Sequence, residues 1–509
     1  MNSVKIDRIG KNRFDLSHDV KMSLNMGELV PFAAIECVPG DKFQIGCEAF
    51  LRFAPMVSPV MHRNHVFTHW FFVPNRIVWP QWEKWITNTK VGGVLPAHPT
   101  FTLTAGNDIT RLADYLGMPT PIGAEAETVS AIPFAAYQKI YNDYYRDQNL
   151  IAEVNTELND GANDYSVFRN IRRRAWMHDY FTASLPDPQK GDQVEIPLGS
   201  QNVILDPASE GVTEANWKKT ADYGQVGDAG ATSIAGGGTP GNLQDVNSNS
   251  LVYDPNGTLI TEQSGAATSI NDLRTAIKLQ EWLEKNARGG TRYPELMLVH
   301  FNQRSSDQRL QRPEYITGTK SPVQISEVLS TAETTELPQG NMAGHGISLT
   351  SGGYGSYSCE EHGYIIGIMS VMPETAYQQG IPKHFLKYNE PTELLWPSFA
   401  HLGEQEVLHK EVYGYQGAPG GDTFGYMPRY GEYRYIPSRV AGDFKTTLNT
   451  WHEGRIFAEP PSLNQLFIEC DPTHRIFAVT DPTVQKLYCH IYNKISAVRP
   501  LPMYGTPSF

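Results

Sequence analysis

Cysteine is scarce in this chain. There are five in 509 residues, Cys37, Cys47, Cys359, Cys470 and Cys489, and none forms a CxxC pair. An odd, widely spaced set argues against a disulfide framework and for free buried thiols in a reducing compartment. Charge is thin too: 19% of residues are charged, against a globular norm of about 25%. The balance is −13, which excludes a general nucleic-acid-coating protein, basic overall, but leaves room for a locally basic face. Long hydrophobic runs are missing. The longest, Tyr364 to Met372, is far shorter than the ~20 residues of a membrane span. The N-terminal Lys5, Arg8, Lys11 and Arg13 are not followed by the apolar core of a signal peptide, so a soluble protein not secreted by the general route is expected. Catalytic and nucleotide motifs are absent: no HExxH, GxSxG or GxxxxGK, and no GxGxxG after a strand. Pairs such as Glu360-Glu361 and His452-Glu453 are too generic to assign to acid–base work.

Glycine, proline and aromatics are plentiful. With 44 glycines, 35 prolines and 11% aromatic residues, the composition favours a loop-rich β protein with large packed or interfacial surfaces. The block from Asp41 to Trp85 organises the chain. Phe43, Ile45 and Cys47 alternate with Gln44 and Gly46, which predicts a strand with one buried face after the Pro39-Gly40-Asp41 turn. Met61 to Pro74 is rich in aromatic and β-branched residues, again a strand signature. His62, His65 and His69 lie in it. Residues four apart on a strand share a face and residues three apart do not, so only His65 and His69 could cooperate; no metal site is assigned.

Further along, Gln81 to Ile86 predicts one or two helical turns. Ile132, Ala136, Ile140, Tyr141 and Tyr144 predict a helix over 133–150 with Pro133 in its first turn. Arg169, Arg172, Arg173 and Arg174 fall within six residues. They are either a solvated face or an inward contact with nucleic-acid phosphate or a neighbouring subunit. Residues 201–270 contain ten glycines, eight acids and only Lys218 and Lys219 as bases. Within them, Leu251-Val252-Tyr253 and Thr258-Leu259-Ile260 flank Asp254-Pro255-Asn256-Gly257, a hairpin signal. The stretch 201–268 reads as an ornament on an outer surface or a linker, not a second core. A second helix is expected over 270–288, ended by Gly289-Gly290. Beyond it, 323–328 alternates as a strand, 340–358 reads as glycine-rich loops, and Tyr364 to Met372 reads as a strand buried on both faces. Met427 to Tyr435, Leu463 to Ile468, Arg475 to Val479 and Lys486 to Tyr492 are expected to be closing strands. Strands thus concentrate at both ends of the chain. A single eight-stranded jelly-roll β-sandwich with long loop insertions and a few helices suits that pattern, because Greek-key wiring pairs early strands with late ones.

Several strings carry a resemblance. They are Phe14-Asp15-Leu16-Ser17; Pro59-Val60-Met61 through Phe71-Phe72-Val73-Pro74-Asn75-Arg76 with Trp79; Ile140-Tyr141-Asn142 through Leu150; His178-Asp179-Tyr180-Phe181-Thr182 with Leu185-Pro186 and Pro188-Gln189-Lys190-Gly191; Gly289 to Glu295; and Asp307 to Tyr315. Together they resemble the major capsid proteins of microviruses, small icosahedral single-stranded DNA phages, and most closely the gokushovirus branch. Asp187 departs from the pattern, standing where tryptophan is usual.

The resemblance implies a structural, non-enzymatic protein without a cofactor. About sixty copies would close a T=1 icosahedral shell around circular single-stranded DNA, in the virion after assembly and in the host cytoplasm before it. Implied partners are further copies of the chain, the DNA genome, a small basic DNA-packaging protein, an internal scaffolding protein during assembly, and a bacterial surface receptor. The organisation expected is an N-terminal arm over 1–40, first jelly-roll strands with a helical insertion over 41–200, a surface spike over 201–268, and the remaining strands and tail over 269–509. In the spike, Trp217, Tyr223, Tyr253 and Asn256 are the candidates for host contact. The competing readings are a β-sandwich enzyme acting on glycans, whose acid pair sequence spacing would not reveal, and a monomeric carbohydrate-binding module.

Overall fold

The computed structural model describes residues 10–90, 92–103, 111–119, 127–192, 194, 217–219, 235–236, 243–244, 251–253, 270–329, 342–414 and 422–504. The chain divides into two compact units, one of Met1–Lys190 with Glu284–Phe509 and one of Gly191–Leu283.

In the larger unit the chain's two ends share one antiparallel sheet. Strand Lys42–Phe53 buries Phe43, Ile45, Cys47, Ala49, Leu51 and Phe53 and turns the intervening polar residues outward. Leu487–Arg499 alternates in the same way and lies beside it, with Ala497 opposite Phe43 and Ile491 opposite Ala49. The sheet order continues from Lys42–Phe53 through Met342–Ser358 to Gln324–Leu329. Asn12–Asp15 and His18–Leu24, both within the N-terminal 40 residues, pair along Leu487–Arg499. A second sheet has the order Glu314–Pro322, Asn64–Pro74, Gly363–Pro373, Val30–Cys37. With the two N-terminal strands set aside, four strands remain in each sheet.

One core lies between the sheets: Phe43, Ile45 and Phe53 from the first meet Phe32, Val66, Trp70 and Phe72 from the second. The opposite face of the second sheet has its own core. Phe71, Val73, Ile366 and Ile368 pack there against the helix Ile132–Ile140. That explains why Gly363–Pro373 is apolar apart from Tyr364 and Ser370: it is buried on both faces, as its apolar run predicts. The helix does not reach residue 150. It widens into a π-turn at Tyr141–Tyr145 and stops at Arg146, where Arg292 donates to the carbonyls of Asn142 and Arg146 at 3.0 Å each. The second helix runs Ile270–Gly289, close to its expected span.

Four further expectations fail. Residues 342–358 form a 17-residue strand, not loops. Two of its glycines permit close approach: a Cβ on Gly346 would lie 2.9 Å from the Phe53 ring, and one on Gly355 2.9 Å from Thr317. The alternating run from Met427 is a strand only to Pro428, because Tyr430 turns into the left-handed region at φ 63° and a 3-10 turn follows at Gly431–Tyr433. Leu463 to Ile468 contains a short helix, Gln465–Ile468, whose N-cap Asn464 accepts from the Phe467 N–H at 3.1 Å. Arg475 to Val479 begins in a 3-10 turn, His474–Ile476. In the last three, short-range turn and capping chemistry overrides the strand-like pattern. All five cysteines are free and buried.

Candidate assembly and nucleic-acid surfaces

The arginine run follows the helix core and threads between distant parts of the chain. The Arg172 Nε donates to Gln138 Oε1 at 2.7 Å, and its guanidinium lies 5.5 Å from the Tyr141 ring. Gln138 is fully buried, so this bond satisfies an amide that has no access to water. Arg173 donates to the Cys470 carbonyl at 3.1 Å and pairs with Asp471 at 3.0 Å. Arg174 lies 4.1 Å over the Phe67 ring and donates to Ser370 Oγ at 3.2 Å. Arg169 is half-buried and lies in the field of Asp164. Three of the four therefore also staple the subunit, a role the sequence did not signal because Gln138, Cys470 and Ser370 lie far away along the chain.

His62 and His65 share Glu374 through different atoms, and His69 has a partner of its own. His62 Nε2 meets the Glu374 carbonyl at 2.6 Å, His65 Nε2 meets Glu374 Oε1 at 3.0 Å, and His69 Nδ1 meets the Tyr145 hydroxyl at 2.7 Å. Burial lowers the pKa of His69 to about 4, so its ring is neutral at pH 7. Of the spike candidates, Trp217 and Tyr253 are paired residues of two short antiparallel strands, Trp217–Lys219 and Leu251–Tyr253. Tyr223, Asn256 and the second hairpin arm at 258–260 lie outside the described residues.

The motif His178 to Thr182 is a turn built around Asp179. Its Oδ1 accepts from the Phe181 and Thr182 N–H groups at 2.9 and 2.7 Å, and its Oδ2 from the Tyr377 hydroxyl at 2.8 Å. Tyr180 donates to the buried Glu411 at 2.7 Å, and Glu411 pairs with Lys383 at 2.8 Å. Asp187, the departure from the pattern, is exposed.

This turn supports an apolar surface that sequence reading missed. Phe385, Tyr388, Leu394, Leu395 and Trp396 are exposed on one segment, and Tyr433, Tyr435 and Ile436 on another, Ile436 to 90%. Bonds from Arg429 and Tyr430 to the Thr392 carbonyl, at 3.1 and 3.0 Å, tie the segments together. A soluble monomer rarely leaves such a patch bare; a surface of this kind fits another protein. The exposed residues of 385–396 follow no strand period, and the alternation of Tyr433 with Tyr435 points to a half-buried strand, not to an exposed surface.

A family model described as "Capsid protein (F protein)" matches residues 2–509. The chain is 38% identical to capsid protein VP1 of Bdellovibrio phage phiMH2K, over 98% of this chain and 95% of the relative. It is 33% identical to capsid protein VP1 of Chlamydia phage 1, over 98% of this chain and 96% of the relative. Identity to capsid protein VP1 of Spiroplasma virus 4 is 29%, over 99% of this chain and 96% of the relative. With its antiparallel sandwich and a match that spans nearly the whole length of these proteins, the chain belongs to the capsid protein family of the microviruses, on their gokushovirus-like side, and is a structural protein of the virion.

Proposed function

We propose that about sixty copies of the chain close a T=1 icosahedral shell around circular single-stranded DNA. The observation that carries this reading is the bare apolar surface formed by 385–396 and 433–436. In a shell with one subunit environment, each copy must offer complementary edges to several neighbours. A patch of exposed Phe, Tyr, Trp and Ile on irregular loops supplies such an edge.

Inside the shell, Arg169 and the accessible edges of Arg172, Arg173 and Arg174 would meet phosphate. A subunit of net charge −13 cannot neutralise a genome alone. A small basic DNA-packaging protein, or cations, would share that task, and an internal scaffolding protein would act during assembly in the host cytoplasm. We assign host attachment to the polar insertion 201–268, with Trp217, Tyr223, Tyr253 and Asn256 as contact candidates, and the shell itself to the flanking 41–200 and 269–509 with residues 1–40, whose strand Val30–Cys37 lies in the sandwich. Electron microscopy of purified particles, with mass measurement of intact particles, tests the reading. Particles of icosahedral symmetry holding about sixty copies and nuclease-protected single-stranded DNA are expected; a monodisperse monomer at high concentration would refute it.

A further inference from the structure

The outer face of strand Asn64–Pro74 carries a ladder of rings, His65, Phe67, His69 and Phe71, with successive centroids 6.3, 6.2 and 6.2 Å apart. Beside His69 and Phe71 opens a cavity of about 390 Å³ whose walls include Tyr144, Tyr145, Trp176 and Tyr315. Volumes of about 300–1,000 Å³ are those of small-ligand clefts. Tyr315 is 49% exposed and stands at the mouth, 6.0 Å from the His69 ring and 5.6 Å from Phe71.

Arg174 is the one side chain of fixed charge in the lining; the other polar groups include tyrosine hydroxyls and the imidazoles of His69 and His178, and among the described residues no carboxylate lines it. Among the described residues Arg174 has no acidic partner: its contacts are Ser370 Oγ and the faces of Phe67 and Tyr145. Lys320, exposed, adds a second cation 5.5 Å from the Phe67 ring. Burial disfavours the charge on Arg174, which makes an anion at the cavity the natural counter-ion. In a protein of net charge −13, an aromatic cavity with an uncompensated guanidinium and no acid calls for a ligand that is both flat and anionic.

We propose that this cavity takes one unpaired base and its adjoining phosphate from single-stranded DNA, with Tyr315 stacking on the base and Arg174 facing the phosphate. Duplex DNA does not fit the requirement, since its bases are already stacked and paired; an unpaired base has a free face for an aromatic ring. The proposal rests on the reading that the shell encloses single-stranded DNA, and it adds a place where that DNA is held.

Two measurements test it. Intact particles irradiated with ultraviolet light and digested should yield nucleotide adducts on the peptides that carry Tyr315 or Tyr144. Separately, full-length subunit titrated with a fluorescent ten-thymidine oligonucleotide should bind roughly tenfold more weakly after Tyr315→Ala and unchanged after Tyr315→Phe. Thermal melting checks that Tyr315→Ala still folds, and the adducts need no variant. DNA-filled particles with no adduct in this region, or equal oligonucleotide affinity for Tyr315→Ala and wild type, would overturn the cavity assignment while leaving the DNA-enclosing shell intact. Cross-links from a neighbouring subunit's peptide into the cavity would also overturn it. Particles without DNA would remove the shell reading itself.

Discussion

Asn64 and Glu453, nearly four hundred positions apart, meet in the interior: the Asn64 Nδ2 donates to Glu453 Oε2 at 2.6 Å, and both residues are buried. Glu453 Oε1 and Asn64 Oδ1 are buried too and have no hydrogen-bond partner among the described residues. Burial raises the carboxyl pKa from 4.5 to about 7, against the opposing pull of Asn64 and Arg475. Between those values the native state keeps a proton that the unfolded chain has released. The contribution is therefore complete below pH 4.5 and is lost as pH rises to about 7. Its size is on the order of 3 kcal/mol. Glu453→Gln should flatten the decline in subunit stability across that window, as read by denaturant titration at several pH values. An unchanged pH slope would contradict the assignment.

Lys383 and Glu411 form a second interior relationship. Glu411 has only 1% of its side chain exposed and Lys383 17%, so breaking one side leaves an uncompensated charge. Lys383→Met should destabilise the subunit by about 3–5 kcal/mol, whereas Lys383→Met combined with Glu411→Gln, which keeps an acceptor for the Tyr180 hydroxyl, should recover most of that loss. Denaturant midpoints for the two single variants and the double variant decide the point. Additive losses would mean that the pair is not coupled.

The arginine run separates into residues that hold the fold and one that does not depend on it in the same way. Arg172→Ala orphans the buried Gln138 carbonyl and should cost about 1–3 kcal/mol in stability. Arg172→Ala with Arg173→Ala therefore mixes unfolding with any loss of DNA. Arg169→Ala is the cleaner variant: its melting temperature should match wild type while particles retain less DNA, measured as nucleic-acid absorbance per subunit. Equal DNA content would take Arg169 off the inner surface.

How far the sequence discloses this molecule depends on the range of the force concerned. Strands such as Lys42–Phe53 and Leu487–Arg499 are legible because one face is buried and the period is two. The buried run Gly363–Pro373 is legible because a second core lies over the sheet. Strand Met342–Ser358 is hidden, since two of its glycines answer to Phe53 and Thr317, residues that no local pattern names. The same holds for the arginines. A run of charge reads as a surface, and only the fold brings Gln138 and Cys470 to it. The family strings were legible, but they mark the strand Asn64–Pro74 and turns such as the one at Asp179, not the apolar surface itself.

Removal of 201–268 tests the division of labour between shell and ornament. The deletion, closed with a short Gly-Ser linker, should leave particles of normal sedimentation, because neither main sheet draws a strand from that stretch among the described residues. Adsorption to host cells should fall to background. Failure to assemble would assign the insertion to the shell.

Ile436 offers the sharpest test of the apolar surface. It is 90% exposed and contributes almost nothing to the subunit's own core, so Ile436→Asp should change subunit stability by less than about 0.5 kcal/mol. In an interface the same change places a carboxylate against apolar atoms without a partner, a penalty of several kcal/mol repeated at every symmetry-related contact. The expected result is a folded subunit with wild-type melting that sediments as a small species and yields few closed particles. Ile436→Leu, which keeps the apolar volume, should assemble normally. If Ile436→Asp builds particles as well as wild type, the surface faces water in the shell and the edge between copies lies elsewhere.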